Sequence, residues 1–517
     1  MYLPLTYPPI ILGASVLTII SYAVYNLFFH PLAGLPGPIG ARTGLYSWKS
    51  TRAVKLDMGW RLLELHARHG TIVRIARNEA SICDPSAISQ IYKFNPSLRK
   101  TRFYESLRGT EGPTSISTAD NKRHAEMRRA ESPAYAAKFL INLERHVDAC
   151  CTDLLAHLDR GINACGGTFD LADVLQFFAI DVVGELTLGK SFGLCKAGRD
   201  PHSFLPMLVK FLEIACLIGT QPIVAPIMTW LPQILPDIPS AVVLTRIVRD
   251  CIDARYTQRE YSDHNDMLDK LMAARNADGS EYSLQQVRAA ATSILGAGSG
   301  RMMYTMRAII RFVVGDPRIY AKVQDEIDTA VKNGTIAFPL SYTNASKLTY
   351  FQACLKETLR LHPPVPWTLS RSVGSGGVTV AGHYFPEGTE VSMSPFVVHR
   401  RPEAYGEDSA TFRPERWINA DAERRTMMER NNLAFGHGTR VCIGKNIGLM
   451  EVSKVVPLLF YRYKIRFTPR SPTSPHTHRV GRASDGRASM DEPYVVTSQW
   501  VAVQSDFWCD ITWRTEP

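Results

Sequence analysis

One cysteine stands apart, in Phe435-Gly436-His437-Gly438-Thr439-Arg440-Val441-Cys442-Ile443-Gly444. The apolar-periodic stretch behind it, Ile447 to Phe460, reads as a helix, so Cys442 lies at or just before a helix N-terminus. Free N–H groups and the macrodipole there favour a thiolate, which is a soft ligand for iron. Gly438 permits a tight turn ahead of the sulfur. Gly444 omits a side chain where a flat macrocycle would lie, and Arg440 can reach a carboxylate of such a cofactor. The other nine cysteines form no C-x-x-C pair and no dense regular spacing, which argues against zinc ribbons and disulfide frameworks.

Three further constellations carry charge. Glu357-Thr358-Leu359-Arg360 puts an acid and a base on one helix face, ahead of Arg413-Pro414-Glu415-Arg416. His124 and Arg128 sit one helical turn apart, and Arg371 follows the kink Pro363-Pro364-Val365-Pro366. The pattern F-x-x-G-x-R-x-C-x-G resembles the haem-binding loop of the cytochrome P-450 family of haem-thiolate oxygenases, and the resemblance runs over essentially the whole chain. It implies a mainly α fold with small β-sheets (α+β), preceded by one N-terminal transmembrane helix. It implies iron protoporphyrin IX as cofactor, with Cys442 as the metal ligand. Phe435, Gly444, His124, Arg128, Arg371 and Arg440 would be cofactor-binding, the last four through the propionates. Glu357, Arg360 and Arg416 would form a structural charge triad behind the thiolate loop.

One departure from the family pattern is chemical. Where members carry A-G-x-(D/E)-T-(T/S), this chain has Ala297-Gly298-Ser299-Gly300-Arg301-Met302, and no Asp or Glu occurs from Ser283 to Gly315. Splitting dioxygen consumes protons, which the usual acid and alcohol help to deliver. Gly300 can do neither, and Arg301 keeps its proton at neutral pH. The candidate distal residues are therefore Arg301 and Ser299. Relay through Ser299, water or a substrate hydroxyl is one reading; Arg301 clamping an anionic substrate is a second; loss of oxygen activation, leaving a rearrangement catalyst or inactive haem protein, is a third. An Arg301 pointing away from the pocket would leave the departure harmless.

The elements that must position these residues begin with an anchor. Met1 to Ala41 holds no Asp, Glu, Lys or Arg, and Ile10 to Phe29 is long and apolar enough to span a bilayer. Arg42, Lys49, Arg52 and Lys55 follow, which places the body on the cytosolic side. Residues 1–29 read as a single-pass anchor in the endoplasmic reticulum membrane, 30–45 as a stiff, extended proline-rich hinge, and 46–517 as the haem-thiolate domain, with 468–492 an exposed insertion. Helical spacing marks Phe139–Leu158, Leu171–Leu188, Ser283–Val314 and Ser346–Leu361; short strands are expected at Thr71–Ile75, Val378–Ala381 and Gln499–Val503. Ser283 with Gln286 forms a capping box.

The 517 residues are 45% hydrophobic and 21% charged, which supports a sizeable core and excludes global disorder. The excess of 59 Lys and Arg over 49 Asp and Glu is dispersed, with no basic tract interleaved with aromatics, so nucleic acid is set aside. No Gly-rich dinucleotide or flavin motif appears, so electrons would come from NADPH through a separate flavoprotein reductase, docked near Lys122, Arg123, Arg128 and Arg129. The greasy segments Thr114–Thr118, Phe204–Leu235 and Val365–Leu369 are candidate walls for a lipophilic substrate. The reading is a membrane-anchored monooxygenase of hydrophobic small molecules, in the style of fungal enzymes of secondary metabolism. Its alternatives are a reductase-independent peroxygenase or rearrangement enzyme, and a non-catalytic haem protein.

Overall fold

A computed structural model describes residues 7–109, 111–201, 204–221, 239–258, 265–468, 495–498, 502–505 and 507–514. The first element, α1 (Tyr7–Val24), continues into a π-helical turn, Tyr25–Phe29. The run Ile11–Phe29 is long and apolar enough to cross a membrane, and its large side chains stand exposed. Its lower end is clamped to the body. Arg74, fully buried in β1 (Ile72–Ala76), donates from Nη1 to the Asn26 carbonyl at 2.8 Å. Arg77 donates from Nε to Asn26 Oδ1 at 3.1 Å. The proline segment after it is turned rather than extended: Ala33 N–H donates to His30 O, and Arg74 N–H to Pro36 O. A short helix, Ile39–Thr43, follows. Its rigidity comes from packing on the Arg74 backbone as well as from proline.

β1 pairs with β2 (Glu79–Ile82), and β3 (Leu98–Lys100) closes the far edge of the same five-stranded sheet. Next come α2 (Asn121–Glu131), α3 (Glu144–Cys165), β4 (Thr168–Asp170) and α4 (Leu171–Leu188). The periodic stretch Phe139–Leu158 is divided at Leu143, which is buried between a short helix and α3. Then α5 (Leu284–Gly315) runs through the centre, against α4, α6 (Thr349–Leu361) and, near the C-terminus, α7 (Lys445–Arg462). The Ser283–Gln286 capping box opens α5. Interior glycines each cost a helix about 1 kcal/mol, but Gly298 is needed for packing: a Cβ there would stand 2.7 Å from Val183 Cγ2 on α4. Helix α6 begins at Thr349 rather than Ser346 because the Glu326 carboxylate accepts the N–H groups of Tyr350 and Phe351, fixing the first turn there.

The sheet order is β1-β2-β6-β5-β3, with β5 Arg371–Val373 and β6 Glu390–Ser392; β2 and β6 are parallel, the other pairs antiparallel. A second sheet pairs β4 with β8 (Trp508–Trp513) and β8 with β7 (Tyr463–Phe467). The expected strand at Val378 pairs with His383–Phe385. Of Gln499–Val503, only Ala502 and Val503 are described, in a strand paired with Val495–Ser498. The insertion expected at 468–492 lies outside the described residues beyond Thr468. The architecture is mainly helical with small sheets, as expected.

Candidate active site

The Cys442 loop is shaped by its backbone. Cys442 N–H donates to Phe435 O at 2.8 Å, and Val441 N–H to Gly438 O at 3.1 Å. Gly438 is obligatory, since its φ is +67° and a Cβ would sit 1.8 Å from the Tyr92 carbonyl oxygen. Gly444, at φ −83°, is the N-cap of α7, and a Cβ there would meet no protein atom closer than 4.0 Å. Neither backbone strain nor protein packing requires that glycine. It faces open space, as a seat for a flat ring would.

That space is a cavity whose empty volume, counted with its mouth, is about 1590 Å³. Cys442, Phe435, Gly444, Arg440, His124, Arg128 and Arg371 all line it, and so do Lys100 and Arg301. Five cations thus face one cavity, and among the described residues none forms an ion pair. Lys100 Nζ donates to Ile116 O at 2.7 Å, Arg128 Nη1 to Val441 O at 2.5 Å and Arg371 Nη1 to Ser370 O at 2.9 Å. Arg440 donates to Thr118 O at 3.0 Å and Asn121 Oδ1 at 2.9 Å. Burial, with the surrounding cations, holds the Lys100 ammonium well below its usual range and His124 down to about 3. Burial also lowers Arg440 to about 10. His124 is therefore a neutral donor amid guanidinium groups. Buried and half-buried cations around one cavity, with no carboxylate partner among the described residues, call for an external anion of at least two charges. Two carboxylates of a tetrapyrrole would fit that donor set, with the Cys442 sulfur in the same cavity to ligate its metal.

Lys100 was not singled out from the sequence. Its signal was there: in a strand, Leu98 and Lys100 share a face, and Leu98 is buried. Of the substrate walls, Ser115, Ile116, Val365 and Leu369 reach the cavity; no described side chain of Phe211–Gln221 does, and 222–235 lies outside the described residues. Of the basic cluster on α2, Lys122, Arg123 and Arg129 are exposed while Arg128 turns inward.

On α5 the cavity meets Ala290, Ser293, Ile294, Ala297, Gly298, Arg301 and Met302. Arg301 points in. Its Nε is buried with no hydrogen-bond partner among the described residues; burial lowers its pKa, opposed by the Cys442 sulfur. Ser299 is not brought to the cavity lining: its hydroxyl donates to Leu295 O one turn back, at 2.8 Å.

Behind the loop, Glu357 is fully buried. It accepts from Arg360 Nη2 at 2.7 Å and Nε at 2.9 Å, from Arg416 Nε at 3.3 Å, and from Trp417 Nε1 at 2.9 Å. Arg360 Nη1 donates to His399 O, and His399 Nδ1 returns a bond to Arg360 O at 2.8 Å. Burial lowers His399 to about 3, so its ring is neutral; Nε2 accepts from Leu433 N–H at 2.7 Å. The triad is thereby tied to the residue that begins the thiolate loop.

Comparison with known proteins agrees with this geometry. The family model for cytochrome P-450 matches residues 48–487. The chain is 32% identical over 461 residues to the cytochrome P-450 monooxygenase gsfF of Penicillium aethiopicum, covering 86% of this chain and 90% of that one. It is 31% identical to the monooxygenase cicH of Emericella nidulans, covering 78% and 82%, and 29% identical to a pisatin demethylase of Fusarium vanettenii, covering 87% of each.

Proposed function

We propose that this chain, which belongs to the cytochrome P-450 family, is a membrane-anchored haem-thiolate monooxygenase that oxidises a lipophilic small molecule in fungal secondary metabolism. Haem iron supplies the activation of dioxygen when bound. The observation that carries the reading is the Cys442 sulfur opening into a cavity ringed by five cations that form no ion pair among the described residues. Cys442 would hold the metal from the α7 side, while Lys100, His124, Arg128, Arg371 and Arg440 would hold the haem carboxylates. Phe435 and Gly444 shape the seat. The apolar Ile11–Phe29 helix, fixed to the body by Arg74 and Arg77, supports insertion in the endoplasmic reticulum membrane with the catalytic body cytosolic, where an NADPH-dependent flavoprotein reductase can meet the exposed Lys122, Arg123 and Arg129. Co-expression with such a reductase in a host making lipophilic precursors tests the reading by its oxidised product. Turnover on peroxide alone, with none from NADPH and reductase, would favour the peroxygenase alternative.

Two consequences concern single side chains. Replacing Lys100 with Met removes one carboxylate partner, so haem should transfer to an acceptor apoprotein about tenfold faster, from the loss of one charge-assisted hydrogen bond of about 1.5–3 kcal/mol. Arg301, with its orphaned Nε, is suited to bind an anionic substrate group. In Arg301→Met, ligands bearing a carboxylate should bind about 10- to 100-fold more weakly by optical titration, while their methyl esters are little affected.

A further inference from the structure

We propose that the protons consumed in this cavity are delivered by Glu131 through the hydroxyl of Ser115, in place of a relay on α5. The proposal rests on the monooxygenase reading. In that reaction substrate RH, O2, two electrons and two protons give ROH and water. The O–O bond breaks, one oxygen enters a C–H bond, and the other leaves as water after taking both protons; NADPH supplies the electrons through the reductase. Of the residues that α5 presents to the cavity, Ala290, Ile294, Ala297, Gly298, Arg301 and Met302 cannot release a proton at neutral pH, and Ser293, about two turns before Arg301, has no carboxyl on α5 to draw a proton from.

Two buried carboxyls do line the cavity, Glu131 and Glu451. Glu451 lies on α7, the helix of the thiolate side. Glu131 ends α2 and is 4% exposed; its Oε2 accepts from Ser115 Oγ at 2.6 Å, and Ser115, in the loop ahead of α2, lines the cavity as well. The groups facing Glu131 are few. Arg128 lies one turn back on α2, Tyr135 in the next turn, and Tyr282, just ahead of α5, donates its hydroxyl to Met127 O. The helix Met267–Met272 packs on α2 and, among the described residues, presents the apolar Met267 to the cavity. No cation forms an ion pair with Glu131 among the described residues, and burial raises its carboxyl to about 7. It is therefore partly protonated at neutral pH, the condition a general acid needs.

When Glu131 is protonated, the hydrogen bond reverses. Glu131 donates to Ser115 Oγ, which frees the serine O–H to point into the cavity. A concerted shift then passes the serine proton to the oxygen that departs as water and the carboxyl proton to Ser115. Serine ends unchanged, and the carboxylate is recharged from solvent before the second proton is needed.

The test uses the full-length holoprotein with reductase, NADPH and substrate, in Glu131→Gln and Ser115→Ala. In both, the carbon monoxide band of the reduced protein should match the parent. NADPH should still be oxidised, but product per NADPH should fall about 100-fold, at the low end of the 10²–10⁴ range for general acid catalysis, with hydrogen peroxide appearing instead. Turnover driven by added peroxide, which brings its own protons, should be spared. Parent coupling should decline as pH rises through about 7 and stay flat in Glu131→Gln. Infrared spectra of the reduced carbon monoxide form should show a protonated-carboxyl stretch that titrates over the same range, absent in Glu131→Gln and shifted in Ser115→Ala. Parent-like coupling in either variant, or no such carboxyl signal, overturns the proposal. Absence of the thiolate band in the parent would instead bring down the haem-thiolate reading. Should Glu131→Gln fail to fold, Ser115→Ala, which removes one oxygen atom, decides alone.

Discussion

Cys442→Ser should give a folded chain with no thiolate-type carbon monoxide band and no detectable product. The loop does not depend on the sulfur for its shape. Its form is set by the Cys442 N–H bond to Phe435 O, by the Gly438 turn against Tyr92 and by the cap of α7. A serine oxygen of nearly the same size fits that backbone, so apoprotein circular dichroism and denaturation midpoint should stay close to the parent. What changes is the donor. A hydroxyl is a hard, protonated group at neutral pH and does not replace a soft thiolate on iron. The carboxylate partners remain, so some haem should still be retained, with an altered Soret maximum. A spectrum and product that both survive the substitution would dismiss the assignment of Cys442, and with it the proposed chemistry. Mass spectrometry of the purified chain guards against a contaminating parent.

The parts of the site that were readable from sequence are those written locally. Phe435 to Gly444 carries its turn, its cation and its sulfur within ten residues, and Glu357 with Arg360 lies on one face of one helix. Such patterns survive because the backbone between the residues is short and its geometry is fixed by helix or turn. Lys100 and Glu131 were not picked out, and Ser115 entered only as part of the Thr114–Thr118 wall, because each acts through a partner far away in the chain: β3 brings Lys100 beside Arg371 of β5, and a loop folds Ser115 onto the end of α2. Trp417 completes the Glu357 site from 60 positions away. Helix phase was the other gap. The composition of Ser299-Gly300-Arg301 does not say which side chain faces the cavity; packing of Gly298 against Val183 decides it, turning Arg301 in and leaving Ser299 bonded to its own helix. The long central helix itself was legible, cap included, since its apolar periodicity outweighs its glycines.

The second large effect should come from a residue well away from the cavity. Glu357→Ala leaves Arg360 and Arg416 buried side by side with no carboxylate between them, and breaking one member of such a buried set costs about 3–5 kcal/mol. Against a total stability of about 5–15 kcal/mol, that loss is large enough to deplete the folded chain. The damage should also travel. Arg360 donates to the carbonyls of His399, Ser409 and Thr411, and His399 in turn holds Leu433 N–H at the entry to the thiolate loop. A guanidinium released from Glu357 can leave those carbonyls, and the loop then loses its brace from behind. Glu357→Gln keeps the volume but turns an NH2 toward guanidinium donors, so it should recover only part of the stability. The expected series in urea denaturation of the apoprotein is parent above Gln above Ala, and haem uptake should fall in the same order although no altered atom lines the cavity. A second comparison separates bracing from stability alone. Lys356→Ala, which removes an exposed partner of Glu429 on the same helix, should cost no more than about 1 kcal/mol and leave haem uptake intact. Equal haem loading and equal denaturation midpoints in Glu357→Ala and the parent would mean that the triad does not hold the loop.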